Sequence, residues 1–114
     1  MEKQFRREKV AEYKERKVVG GVYVLKNTEN GKQLLLSAAD LQGSRNRFTF
    51  SQQTNSCIQP KLQKDWETFG KESFQFEVLE ELEKKETQTA KEFAADVKIL
   101  EELWREKLQG NTLY

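Results

Sequence analysis

The stretch GGVYVLKNTENGKQLLLSA, Gly20–Ala38, decides the fold. Two runs rich in apolar and β-branched residues flank a short polar segment that contains Asn-Gly. Asparagine and glycine tolerate the positive φ angles that a tight turn between antiparallel strands requires. The pattern therefore predicts a β-hairpin with strands over residues 18–26 and 32–38. The glycine pair Gly20 and Gly21 predicts a bulge or a close backbone approach in the first strand.

The sequence beyond the hairpin predicts two helices and a third strand. Residues 58–69 have apolar side chains at helical spacing, and Gly70 is a typical helix stop. Residues 73–80, SFQFEVLE, alternate between apolar and polar side chains and predict a strand. A second helix is predicted over residues 90–108, where Thr89 can form a capping box with the glutamate three positions on.

The remaining segments have weaker patterns. Residues 39–56 resemble a loop, in which Asp40 is placed to cap a short helix and the segment FTF favours a short extended piece. Residues 2–16 lack glycine and proline and predict a short, exposed helix. We therefore predict an N-terminal helix within residues 1–17 and one domain over residues 18–114. The fold class is α+β, a three-stranded antiparallel sheet flanked by helices.

Composition excludes several chemistries. The 114 residues contain no histidine and one cysteine, Cys57, so histidine-based triads, zinc sites and internal disulfides are ruled out. Any metal would be a hard cation held by carboxylates. No run approaches the roughly 18 apolar residues of a membrane helix. The charged N-terminus does not resemble a signal peptide, which predicts a cytoplasmic protein.

The central part of the chain is basic. Residues 41–64 contain four cations and no acid, whereas residues 65–114 contain thirteen acids against seven bases, a net charge of −6. One interpretation is a phosphate-facing surface that contacts DNA or RNA; the other is pairing of acids and bases across the fold. The four central cations, the candidate nucleic-acid contacts, are Arg45, Arg47, Lys61 and Lys64.

Two residues are candidates for chemistry. Glu101 lies about 40° from Val97 and about 60° from Trp104 around the last helix, within its apolar stripe. A carboxylate there requires a partner, a metal or a wet cleft, or it reaches solvent or pairs with a lysine. Tyr23 is either a core side chain of the first strand or a phenol that acts as a base beside a cation.

Together these fragments resemble the GIY-YIG nuclease family over roughly residues 18–114. Gly21-Val22-Tyr23 stands where the family has Gly-Ile-Tyr, and NTENGK is similar to its hairpin turn. The segment LEELW resembles the helix with the metal-binding glutamate, which falls on Glu101. The chain is most similar to a bacterial subgroup of short proteins found with helix-turn-helix regulators. The fragments that carry this likeness are Asp65-Trp66, Phe69-Gly70 and FQFEVLEEL from Phe74.

The resemblance implies a catalytic set for active members: a tyrosine base, an arginine that stabilises negative charge, and a glutamate that holds one Mg²⁺. These roles fall here on Tyr23, Arg45 and Glu101. The chain departs from the family pattern at its second motif, Tyr-Ile-Gly, which aligns with Leu34–Leu36. The arginine position aligns on Ser44, with Arg45 one residue beyond and Arg47 as a substitute. The family's later asparagine is not evident and its histidines are absent.

These departures predict a degenerate active site and a non-catalytic nucleic-acid-associated binding module. A weak Mg²⁺-dependent endonuclease using the same three residues is one alternative. A protein-interaction or ligand-binding module is another, with the N-terminal helix as the contact to a protein partner.

Overall fold

The computed structural model describes residues 18–109 and 113–114. The helix predicted over residues 2–16, and with it the unit 1–17, lies outside the described residues. The strands are β1, Val19–Asn27; β2, Gln33–Ala38; and β3, Phe74–Glu83. The α-helices are α1, Leu41–Thr54; α2, Gln63–Phe69; and α3, Ala90–Lys107.

The three strands form one antiparallel sheet in the order β2-β1-β3. The predicted α+β class and the hairpin are therefore confirmed. The pairing of β1 with β3 shifts between Val22 and Tyr23, next to the glycine pair. Gly21 has a φ of 150°, and a Cβ atom there would lie 2.1 Å from the carbonyl oxygen of Glu80. The predicted bulge with close backbone approach is thus present, and it requires glycine.

The alternation of side chains along β1 produces a core on each face of the sheet. Tyr23 and Leu25 point to the face covered by α1 and α2, where Phe48 and Trp66 are buried. Val22 and Val24 point to the opposite face, which α3 covers. The α3 side chains there are Leu100, Trp104 and the following Leu108. In the described part of the chain, no helix is long and apolar enough to cross a membrane.

The helix α1 corrects the loop and extended piece predicted for residues 39–56. Asp40 caps it as anticipated, accepting a hydrogen bond from the backbone N–H of Gly43 at 3.0 Å. Its buried residues are Leu41, Ser44, Phe48 and Ser51. Two of these four are serines, so the buried face has little apolar periodicity in the sequence, although its spacing is helical.

The helix predicted over residues 58–69 is shorter than expected. It begins with a 3₁₀ turn at Pro60–Leu62 and continues as α2 to Phe69, where Gly70 ends it with a φ of 92°. The apolar residues at helical spacing in this segment include Ile58 and Phe69, which are exposed, so placing them on the buried face of the helix was wrong. The buried residues of this segment are Leu62 and Trp66.

Tyr114 connects the β1–β2 hairpin to α2 by hydrogen bonds. The backbone N–H of Tyr114 donates to the carbonyl of Gln33 at 3.0 Å. The Tyr114 hydroxyl donates to Asp65, and the fully buried Asn27 donates to that hydroxyl at 3.1 Å. Asn30 in the turn also donates to Asp65 at 3.1 Å. These bonds lower the pKa of the Asp65 carboxyl, with the Tyr114 hydroxyl as the largest cause.

Candidate functional site

Tyr23 lies in the middle of β1 and is buried on the α1 side of the sheet. Its ring stacks on Phe76 of β3, with centroids 4.4 Å apart. Beside it is a cleft of about 80 Å³. The cleft is lined by Tyr23, Leu25, Ser44, Arg47, Phe48, Ile58, Gln59 and Phe76. A cleft of this size admits one small chemical group, in contact with a phenol, a hydroxyl and a guanidinium.

The surroundings of Tyr23 favour its protonated form. Burial raises the pKa of the phenol, and the charge of Glu101 adds to this increase. Hydrogen bonding with Ser44 and the positive charge of Arg47 act in the opposite direction, but the pKa stays above its usual value. Since the usual value is already about 10, this tyrosine is a proton donor at neutral pH and not a ready base.

The two candidate arginines have different positions on α1. Arg47 lines the cleft, and its Nη2 atom donates to the Ser44 hydroxyl oxygen at 3.1 Å. The Arg45 guanidinium instead lies over the ring of Phe76, 4.8 Å from its centroid. Ser44, the residue that aligns with the family's arginine, is buried beside Tyr23. Its hydroxyl oxygen accepts the hydrogen bond from Arg47 and so positions the Arg47 side chain. Arg47 thus lies in the same cleft as the Tyr23 phenol, whereas Arg45 lies against Phe76, the ring on which Tyr23 stacks.

Glu101 is buried, with 7% of its surface exposed, on the sheet-facing side of α3. Its Oε1 atom accepts a hydrogen bond from the Ser37 hydroxyl of β2 at 2.7 Å. Its Oε2 atom pairs with the Lys98 ammonium at 3.1 Å and the Arg105 guanidinium at 3.3 Å. Burial by itself would raise the pKa of Glu101, but these three bonds outweigh it and the pKa is lowered. The carboxylate is therefore ionised and internally paired at neutral pH.

These contacts do not fit the Mg²⁺ site that the family resemblance implies. Magnesium prefers oxygen ligands in octahedral geometry. In Glu101, one carboxylate oxygen is bonded to a hydroxyl and the other to two cations, which would repel a divalent ion.

The leucines at the second motif pack as apolar residues. Leu34 is buried in the core on the α1 side, and the partly buried Leu36 pairs directly with Tyr23 across the hairpin. Neither side chain can donate or accept a proton.

The two candidate lysines lie on the surface and follow the cleft-lining residues in the sequence. Lys61 is exposed in the 3₁₀ turn, two residues beyond Gln59 of the cleft lining, and Lys64 is exposed in the first turn of α2. Both are free to meet a ligand that reaches this part of the surface.

Sequence reasoning left a lysine partner of Glu101 open but named neither Lys98 nor Arg105. Lys98 and Arg105 lie three residues before and four after it, the spacings at which helical side chains meet, so this signal was available. Ser37 had no such signal, because its contact with Glu101 depends on how α3 packs on β2. Ser44 was noted only as a departure from a motif.

One solved structure is similar to this chain and indicates its architecture. The catalytic domain of the homing endonuclease I-TevI matches with a TM-score of 0.59 and 23% sequence identity, over 82% of this chain and 96% of that chain. No family model matches the sequence, and no curated protein matches it. At this identity the similarity establishes architecture. The chain has a GIY-YIG-like fold.

Proposed function

We propose that this protein is a non-catalytic nucleic-acid-binding module built on a GIY-YIG-like fold. The observation that carries the proposal is the acid-free segment 41–64, whose cations are all exposed and include Arg47 in the lining of the Tyr23 cleft. Arg47 lines this cleft and Arg45 lies over its Phe76 wall. Guanidinium groups are well suited to phosphate oxygens because they present several N–H donors in a planar fork.

The nature of the site supports binding without cleavage. Hydrolysis of a phosphodiester requires a base to activate water and, in the family that the fold resembles, a Lewis acid. The raised pKa of Tyr23 keeps its phenol protonated, and the carboxylate of Glu101 is already paired with two cations. The positive charge at the cleft remains able to attract a phosphate. The similar solved structure belongs to an endonuclease, which favours nucleic acid as the ligand class.

The test is salt-dependent binding of a fluorescently labelled DNA duplex and of a single-stranded RNA, followed by anisotropy with the full chain. Affinity is expected to fall as salt rises, with a slope in the logarithmic plot of about −0.9 for each duplex phosphate contacted. Arg45→Ala and Arg47→Ala should each reduce that slope by about 1. Lys107→Ala, which removes a cation over Trp104 on α3, is the matched control and should bind as the parent does.

Two results would overturn the proposal. Absence of binding to both nucleic acids at low salt would remove the nucleic-acid role. Mg²⁺-dependent cleavage that is lost in Tyr23→Phe would instead establish the alternative, an endonuclease with a working phenol.

Two further predictions accompany this function. We place the protein in the cytoplasm, which fractionation of cells expressing the full chain can test.

The competing proposal is that residues 1–17 bind a protein partner. Retention of a partner by the full chain, together with loss of that partner on deletion of residues 1–17, would support it.

A further inference from the structure

The Tyr23 cleft has a buried floor and an exposed rim. The floor consists of the buried side chains in its lining: Tyr23, Leu25, Ser44 and Phe48. Two other lining residues, Arg47 and Ile58, are exposed, and 52% of the Ile58 surface is in solvent. A ligand therefore enters past Arg47 and Ile58 and reaches the hydroxyl groups of Tyr23 and Ser44.

The cleft has room for one small group. Its volume is about 80 Å³, and a water molecule occupies about 30 Å³ in the liquid, so about two or three waters would fill it. A phosphoryl group is of this size, whereas a nucleoside is several times larger. A phosphate within a strand has a nucleoside on both sides, and both would have to be accommodated at the rim. A terminal phosphate has one, so its free oxygens can enter the cleft while the nucleoside stays outside.

The polar groups of the cleft suit the oxygens of such an anion. Arg47 donates to the Ser44 hydroxyl oxygen at 3.1 Å and keeps further N–H groups for a ligand. The Ser44 proton is then available to the oxygen of Tyr23, with which Ser44 is hydrogen-bonded. The Tyr23 phenol in turn has its own proton to donate into the cleft. A phosphate monoester carries a charge of about −1.5 to −2 at neutral pH, and its free oxygens are strong acceptors.

The charge at the cleft is that of Arg47. Among the described residues, no carboxylate belongs to the cleft lining. Glu101 lies across the sheet, because its partner Ser37 pairs with Val22, whose side chain belongs to the core on the α3 side. Its carboxylate is also paired with two cations there. An anion that enters the cleft therefore meets a guanidinium and no exposed acid.

We propose that the Tyr23 cleft binds the terminal phosphate of a nucleic-acid strand, with Arg47 and the Tyr23 hydroxyl as donors to its oxygens. This inference rests on the proposed nucleic-acid function and adds the ligand class, which is a strand end. Ile58 at the rim packs against the sugar of the terminal nucleotide. Lys61 is exposed two residues after Gln59 of the lining and contacts a phosphate further along the strand.

The experiment compares the affinity of the full chain for strands that differ only at their ends. The DNA duplex and the single-stranded RNA, labelled within the strand, are each prepared with a 5′-phosphate, with a 3′-phosphate and with hydroxyl ends. One hydrogen bond to a charged group corresponds to a change in affinity of about tenfold or more. At least one phosphate-ended form should therefore bind about tenfold tighter than its hydroxyl-ended form. Inorganic phosphate should compete with this gain.

Three variants locate this end preference, which is the ratio of the affinities for phosphate-ended and hydroxyl-ended strands. Tyr23→Phe retains the buried ring and removes the hydroxyl, so the ratio should fall by about tenfold. Arg47→Ala, at an exposed position, should lower the ratio at least as much. Lys61→Ala is the matched control, because it removes a cation outside the lining. It should weaken the binding of both forms alike and leave the ratio unchanged.

An end preference that Tyr23→Phe and Arg47→Ala remove and Lys61→Ala retains would support the inference. Equal, salt-dependent affinity for phosphate and hydroxyl ends would overturn it and leave the proposed function standing. An end preference that persists in both Tyr23→Phe and Arg47→Ala would also overturn it, since the end would then bind elsewhere. If no form binds even at low salt, the proposed function itself fails.

Discussion

Replacement of Glu101 by glutamine tests whether this carboxylate is a structural partner of the two cations. The glutamine side chain has nearly the same shape but no charge. Its carbonyl oxygen can accept from the two cations while its NH₂ group donates to the Ser37 hydroxyl oxygen. The variant therefore loses two ion pairs, at 3.1 Å and 3.3 Å, and exchanges the charge-assisted bond from Ser37 for a neutral one.

The expected loss of stability is moderate. Ion pairs with half-exposed partners contribute about 0.5 kcal/mol each, because solvent screens them. Exchanging a hydrogen bond to a charged group for a neutral one costs about 1 kcal/mol. Together these effects predict that Glu101→Gln lowers the free energy of unfolding by about 1–2 kcal/mol at neutral pH. For a domain of this size, each kcal/mol corresponds to a fall of roughly 4–8 °C in Tm.

The pH dependence gives the prediction a sign. The pKa of Glu101 is lower in the folded protein than in the unfolded chain, so its charge stabilises the fold above the unfolded pKa, about 4.3. That contribution is lost as the pH falls through the folded value. The difference in stability between parent and variant should therefore be full at pH 7 and close progressively below about pH 4.

Urea unfolding followed by circular dichroism, at neutral and acidic pH, measures this difference. Glu102→Gln is the matched control, because Glu102 is an exposed neighbour on α3. Equal stability of Glu101→Gln and the parent at pH 7 would refute the reasoning, as would a difference that widens on acidification. A rise in Tm of the parent with millimolar Mg²⁺ that is absent from the variant would show that the carboxylate binds metal.

Four further substitutions test the fold around the site. Thr89→Ala removes the α3 cap and should cost about 1 kcal/mol in urea unfolding; an unchanged midpoint would contradict this. Gly21→Ala brings a Cβ within 2.1 Å of a β3 carbonyl and should destabilise far more than Gly31→Ala. The latter has open space and carries only left-handed strain of roughly 1–2 kcal/mol. Tyr114→Phe should raise the pKa of Asp65 towards its ordinary value, as followed by NMR titration; an unchanged pKa would contradict the contact.

Features that depend on neighbouring residues in the chain were predictable. The Asn-Gly turn, the strand alternation and the helix stop at Gly70 follow from local backbone preferences. The capping box is equally local. The Thr89 backbone N–H donates to the Glu92 side chain at 2.9 Å, and the Glu92 backbone N–H donates to the Thr89 hydroxyl at 3.1 Å. The helix α1 was missed because its buried face contains Ser44 and Ser51, so an apolar pattern does not mark it.

The site shows the same division between local and long-range information. From the sequence, Tyr23 and Glu101 were candidates, and the cations of residues 41–64 formed a basic group, because residue type and helical spacing alone reveal them. The packing of α1 on the sheet decided that Arg47 reaches the phenol through Ser44 and that Arg45 lies over Phe76 instead.

The fate of Glu101 was likewise a matter of tertiary structure. The sequence left open solvent, a metal and a lysine partner for this carboxylate. The packing of α3 against β2 buried it beside the Ser37 hydroxyl, which left its other oxygen to Lys98 and Arg105. A buried charge must be paired, and only the assembled fold determines which partners lie within reach.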